Sequence, residues 1–171
     1  LATRAYENTA LPIGFGQTIS QPYIVALMCE QLLDVEKSGP VLEIGTGCGY
    51  QAAVLSKLFE KVVSIERIGD LCRQARDRLF SLKFHNVHCM HADGFQGFIE
   101  RGPYIGIVAA AASNDVPEAL LNQLAPAGRL VMPIERGSTQ SLIVIDNNPD
   151  GFTEREIETV KFVPRVSGII P

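Results

Sequence analysis

Residues 41–50 read Val41-Leu42-Glu43-Ile44-Gly45-Thr46-Gly47-Cys48-Gly49-Tyr50, an apolar run that enters glycines and then helix-forming sequence. Glycines let a backbone approach a ligand closely and take turns closed to other residues. A helix N-terminus adds unpaired N–H groups and the positive end of a dipole. Further carboxylates follow in order. Glu66 ends the next apolar run, where an acid can accept both ribose hydroxyls. Asp93-Gly94 ends the run after that. A lone glycine loop is weak evidence, and a strand-end Glu is more often only solvated. The ordered set of Glu43, the glycines, Glu66 and Asp93 is far more specific and predicts a nucleoside-type cofactor. A dinucleotide fingerprint needs Gly-x-Gly-x-x-Gly. Here the third glycine comes one residue early, at Gly49, and Tyr50 takes its place, which argues against NAD.

These residues need a scaffold, and the pattern around them alternates strand-like and helix-like stretches, as in an α/β domain with a mainly parallel sheet. Residues 5–19, with Pro12, Gly14 and Gly16, read as loop. Ser20 reads as an N-cap with Pro22 in the first turn of a helix running to about residue 33. Strands are expected at 41–44, 62–65, 86–90 and 105–110, the last nearly all apolar and therefore central. Helices are expected at 50–59, with Val54, Leu55, Leu58 and Phe59 buried, and at 69–82, with Leu71, Ala75, Leu79 and Leu82 inward. A further helix opens at Val116 or Pro117 and runs to Leu124, with Gly128 as its stop signal. Strands at 129–133, 141–145 and 157–163 complete the reading.

The 171 residues suit a single domain spanning 1–171. Net charge is −4, and the cations are scattered, which argues against nucleic acid as a partner. No apolar run approaches the roughly 20 residues of a membrane span, and the first residues carry no signal-peptide pattern. Cys29, Cys48, Cys72 and Cys89 form no C-x-x-C pair and read as reduced core thiols of a cytoplasmic protein. His85, His88 and His91 read as strand and loop residues, with no metal expected.

The segment from Ala5 to Tyr23 contains Leu-Pro-Ile-Gly-Phe-Gly-Gln-Thr-Ile-Ser-Gln-Pro and closely resembles the bacterial protein-L-isoaspartate O-methyltransferases. Val41 to Ala53, Ser64 to Ile68, Pro117 to Leu120 and Val160 to Pro164 are also similar, so the resemblance covers nearly the whole chain. The Gly-x-Gly-x-Gly loop with its preceding acid resembles the first motif of S-adenosylmethionine methyltransferases. The implied fold is the Rossmann-like class I S-adenosylmethionine-dependent methyltransferase, a mainly parallel sheet flanked by helices. The implied cofactor is S-adenosyl-L-methionine. Its methionine part would pack on Gly45, Thr46, Gly47 and Gly49, with Glu43 near the amino group. Glu66 and Arg67 would meet the ribose side, and Asp93-Gly94 the adenine amino group. Ser20 would be the active-site serine, with Gln17, Thr18 and Ile19 along cofactor and substrate. Isoaspartyl-containing proteins would be the substrates of a monomeric repair enzyme. The family's N-terminal helical segment is missing before Tyr6. Ile105 stands for an expected Asp, and Ala110 for an expected Thr.

The implied chemistry asks little of the side chains. A carboxylate with a pKa near about 4 is already ionised at neutral pH, so no general base is needed. Alignment and exclusion of water remain as the protein's task. Other readings share the fold: methylation of RNA or a small molecule, or a cofactor-binding relative without turnover.

Overall fold

The computed structural model describes residues 2–36 and 38–171; Leu1 and Lys37 lie outside the described residues. Strands β1 (Leu11–Gly14) and β2 (Gln17–Ile19) pair as an antiparallel hairpin, where a loop over 5–19 was expected. Gly14, Phe15 and Gly16 all have positive φ and reverse the chain, so that Leu11 meets Ile19. Helix α1 (Pro22–Glu30) follows and stops short of residue 33. Its cap is Gln21 rather than Ser20; the Gln21 side chain makes no cap bond, and Asn8 Oδ1 accepts from the Tyr23 N–H at 3.2 Å. Pro22 sterically excludes the helical region for the residue before it. The boundary therefore falls at Gln21, and Ser20 is left outside the helix.

The main sheet is built from β3 (Val41–Ile44), β4 (Val62–Glu66), β5 (Val87–His91), β6 (Tyr104–Ala109), β7 (Leu124–Arg136), β8 (Thr139–Asn148) and β9 (Gly151–Val160). Their spatial order is β5-β4-β3-β6-β7-β8-β9. The strands from β5 to β7 are parallel, and β8 and β9 return antiparallel. Helices α2 (Tyr50–Leu58), α3 (Gly69–Ser81) and α4 (Glu118–Leu121) connect them. Every residue of β3 and β6 is buried, as strands covered on both faces require. Val41, Val62, Val108 and Val131 pack on one face against Met28, Leu32 and Leu55. Leu42, Ile65, Ile107 and Met132 pack on the other with Leu120. Ile105 is buried over Gly39, where an added Cβ would lie 2.6 Å from its Cγ2. An apolar side chain at this position is therefore a packing solution.

Other boundaries moved for local reasons. Leu82 is the C-cap of α3 and is 60% exposed rather than inward, because Lys83 turns the chain away at φ 63°. Helix α4 ends at Leu121, before Leu124. Gly128 is a strand residue instead of a helix stop: an added Cβ would stand 2.8 Å from the Ala125 carbonyl and 3.0 Å from that of Tyr104. The hairpin strands β7 to β9 are longer than expected, and the last occupies 151–160 instead of 157–163.

Candidate functional site

From β3 the chain runs outward through β4 to β5, and then from β6 to β7 in the other direction. The crevice between the carboxyl ends of β3 and β6 is thus the topological switch point, where open α/β sheets bind ligands. The loops after those strands face each other there, with Ala110 Cβ 3.5 Å from the place of a Cβ on Gly45. Three adjoining cavities open around this point. The first is lined by Gln17, Thr18, Gly45, Gly47, Glu66, Arg67, Gly94, Phe95 and Arg165, among others. The second, about 640 Å³, is lined by Thr18, Ser20, Ala110 and the stretch from Thr159 to Val163. The third joins them and is lined by Thr18, Ile19, Ser20, Gly45, Thr46 and Gly47. Thr18 and Ala110 border all three. The hydroxyl-bearing residue before α1 and the glycine turn after β3 therefore share a wall.

The glycines divide their work. Gly47 has φ 54°, and an added Cβ would lie 3.1 Å from Ile13 Cδ1, so the β1–β2 hairpin closes directly over the loop. Gly49 was expected at the cofactor but lines none of these cavities. It caps α2 at φ 87°, and an added Cβ would press on Leu79 at 3.2 Å. Its smallness lets α2 and α3 approach.

The carboxylates also separate. Glu66 is 5% exposed; its Oε2 accepts from the Gly47 N–H at 2.8 Å and its Oε1 from the Ile68 N–H at 3.0 Å. Each oxygen keeps a lone pair for a ligand hydroxyl. Asp93, placed by the sequence at the adenine amino group, lines none of the cavities, although Gly94 beside it does; its Oδ1 accepts from the Phe95 N–H at 2.8 Å, and Oδ2 from the Gly168 N–H at 2.7 Å. Glu43, placed by the sequence at the cofactor's amino group, is fully buried beneath the loop and lines none of the cavities. Its Oε2 accepts from Ser64, whose hydroxyl also pairs with Thr46. Its Oε1 has no partner among the described residues. Burial pushes the Glu43 carboxyl up to about 8, the Ser64 hydrogen bond opposes this, and the charge of Glu66 adds to it. Glu43 thus supports the loop from behind through Ser64 and Thr46.

Arg67 lines the first cavity, and its Nε donates to the Gly168 carbonyl at 2.9 Å. Sequence reasoning missed two neighbours. Phe95 and Arg165 wall the same cavity, and the guanidinium lies 4.2 Å over the Phe95 ring. Their separation of 70 residues in the chain left no local signal. Gln123 was also missed. Its side chain bonds to Gln96, Phe98 and Ala119 and holds the segment after β5.

Among the described residues no cluster of His, Cys, Asp or Glu could hold a metal ion, and no helix is long and apolar enough to cross a membrane. Cys29, Cys48, Cys72 and Cys89 are free thiols, each pushed up first by burial. Backbone N–H groups, a glycine cradle, the acceptors of Glu66 and free guanidinium nitrogens fit a nucleoside cofactor such as S-adenosylmethionine.

The family model for protein-L-isoaspartate(D-aspartate) O-methyltransferase matches residues 1–169. A protein-L-isoaspartate O-methyltransferase of Halorhodospira halophila is 52% identical over 168 residues, covering 98% of this chain and 76% of that protein. One from Shewanella oneidensis is 54% identical over 168 residues, covering 98% of this chain and 79% of its own. A Plasmodium falciparum crystal structure, described as a protein-L-isoaspartate O-methyltransferase in complex with S-adenosyl-L-homocysteine, superposes with a TM-score of 0.85 at 27% identity over 94% of this chain and 81% of that one.

Proposed function

The chain belongs to the protein-L-isoaspartate(D-aspartate) O-methyltransferase family, and from that premise we propose that it methylates the free carboxylate of L-isoaspartyl residues, with Ser20 orienting the acceptor. The observation that carries this reading is the cavity shared by Ser20, Thr46 and the glycine turn.

S-adenosylmethionine, when bound, supplies an electrophilic methyl group on a sulfonium leaving group. The Gly45–Gly47 backbone would hold its methionine end, and the free lone pairs of Glu66 its ribose hydroxyls. Thr18, bordering every cavity, would lie between donor and acceptor. The acceptor carboxylate enters ionised, so no residue need remove a proton. The Ser20 hydroxyl would donate to one carboxylate oxygen and leave the other free to attack. A neutral hydroxyl suits this task because a cation would hold the nucleophile's charge too firmly. The donor would supply the methyl group and keep the electron pair of its S–C bond, leaving the acceptor as a methyl ester. The second cavity, with its wall from Thr159 to Val163, is the size expected of a ligand site and would take the polypeptide. In this reading a single domain acts as a monomer in the cytoplasm, without nucleic acid or membrane; the scattered cations support the first exclusion.

A labelled-methyl assay tests the reading by comparing an isoaspartyl peptide with its aspartyl twin. Only the isoaspartyl peptide should be labelled. Ser20→Ala should keep S-adenosylhomocysteine affinity and lose about tenfold or more in turnover, the scale of one charge-assisted hydrogen bond. Equal labelling of the twins removes the substrate assignment, and unchanged turnover removes Ser20 from the mechanism.

A further inference from the structure

Among the described residues, Arg165 is the cation whose buried nitrogens lack partners, and it stands at the edge of the nucleoside site. Arg165 follows β9, and its backbone N–H donates to the Ala112 carbonyl at 2.7 Å, which anchors the residue independently of its side chain. Its Nη2 donates to the carbonyl of Phe95, and to that of Gly94 at 3.4 Å. The Phe95 ring lies 4.2 Å beneath the guanidinium and fixes its plane. Nε and Nη1 are buried and meet no acceptor among the described residues. Burying charged donors without partners is costly, and the cost is removed by a ligand that brings acceptors.

We infer that Arg165, which walls the first cavity, reads the base of the cofactor, its guanidinium donating to a ring nitrogen of adenine. This rests on the S-adenosylmethionine reading above. Position selects the base over other parts of the ligand. Arg165 shares its cavity with Glu66 and Gly94 but borders neither cavity that contains Ser20, so the acceptor carboxylate is not its partner. Glu66 and Gly47 mark the ribose and methionine end. Gly94 and Phe95 follow β5, at the far edge of the sheet from β6, where the base would extend. The chemistry agrees. A guanidinium only donates, and the ring nitrogens of adenine accept. Asp93 also favours the charged guanidinium against the effect of its burial.

Calorimetry would compare S-adenosylhomocysteine with deaza analogues, in which one adenine ring nitrogen is replaced by CH. At least one analogue should bind the wild-type protein about tenfold more weakly than the parent, the worth of a hydrogen bond to a charged group. That penalty should vanish in Arg165→Ala and return in part in Arg165→Lys, which restores charge but not the planar fork. A loss in Arg165→Ala that is equal for parent and every analogue assigns the side chain to packing and overturns the inference. So does parent affinity unchanged by the substitution. Wild-type protein that binds no S-adenosylhomocysteine sinks the cofactor reading itself, a result distinct from either. Thermal melting of Arg165→Ala, with Arg165→Gln as a second variant, separates a binding defect from a folding one.

Discussion

At the scale of single residues, Glu43 is the least expected: a carboxyl in the middle of a parallel sheet with one oxygen unpartnered among the described residues. Desolvation disfavours its charged form, and the group stays largely protonated at neutral pH. The sign of the linked stability follows. Unfolded, the carboxyl titrates near its model value of 4.5; folded, it titrates at about 8. Between these values the folded state binds more protons, so stability is full below the lower one, falls as pH rises, and levels off above the higher. Glu43→Gln keeps the shape and removes the titration. Denaturant melts across that window should therefore show a decline of about a few kcal/mol in the wild-type protein and a flatter profile in the variant. Parallel profiles would show that the carboxyl is ionised in the folded chain. The sequence places Glu43 near the cofactor's amino group, and the structure buries it beneath the loop, away from the cavities. Strand alternation places a side chain on a face; it does not say how deep that face lies. Ser20 shows the converse. Its type and position suit a helix cap, and only the steric effect of Pro22 on Gln21 frees it for the cavity.

Among elements, the segment between β5 and β6 matters most for the site, because it carries Gly94 and Phe95. It contains no regular strand, and the side chain that bonds it at most points is Gln123, with Arg165 at Gly94 and Phe95 and Tyr104 at Phe98. Gln123, 5% exposed, donates to Gln96 and Ala119 carbonyls at 2.7 Å each and accepts from the Phe98 N–H at 2.8 Å. Gly97 lies against it so closely that an added Cβ would fall 2.5 Å from its Nε2. Gln123→Ala should destabilise the protein by about 2 kcal/mol, since it leaves buried backbone groups unpaired. Amide hydrogen exchange should rise first in residues 94–98, and S-adenosylhomocysteine affinity should fall with it. Exchange rising uniformly over the chain would make Gln123 a general core residue. The sequence could not show this pin, because a Gln near the end of an expected helix adds nothing to the apolar period that marks a buried side chain. The same limit explains the other elements. The buried strands β3, β4 and β6 were legible because each is a short apolar run between breakers. The β1–β2 hairpin was not, since its strands are short and glycine-rich. The strand β9 is almost wholly exposed, so no apolar alternation marks its length.

At the scale of the whole molecule, the chain brings its last residues back to the carboxyl ends of β4 and β5. The Ile170 N–H donates to the Arg67 carbonyl, and the Gly69 N–H to that of Ile170, both at 2.7 Å. Gly168 is held from two sides, by Asp93 through its N–H and by Arg67 through its carbonyl. His91 Nε2 lies 2.9 Å from the Ile170 carbonyl. The stretch from Val163 to Val166 that precedes this docked end is one wall of the first cavity. All five of these contacts run through polar backbone groups, while Ile169 and Ile170 remain 58% and 44% exposed. Docking therefore buries little apolar surface and adds little to global stability. Its effect falls on the site, because it fixes Asp93, Arg67 and the approach of Arg165 together. Deleting residues 167–171 should lower the melting temperature by only about a few degrees. It should weaken S-adenosylhomocysteine severalfold, because a wall that must order on binding subtracts its entropy from affinity. A large fall in melting temperature with unchanged affinity would reverse the assignment and make the end of the chain a structural brace instead of a wall of the nucleoside site.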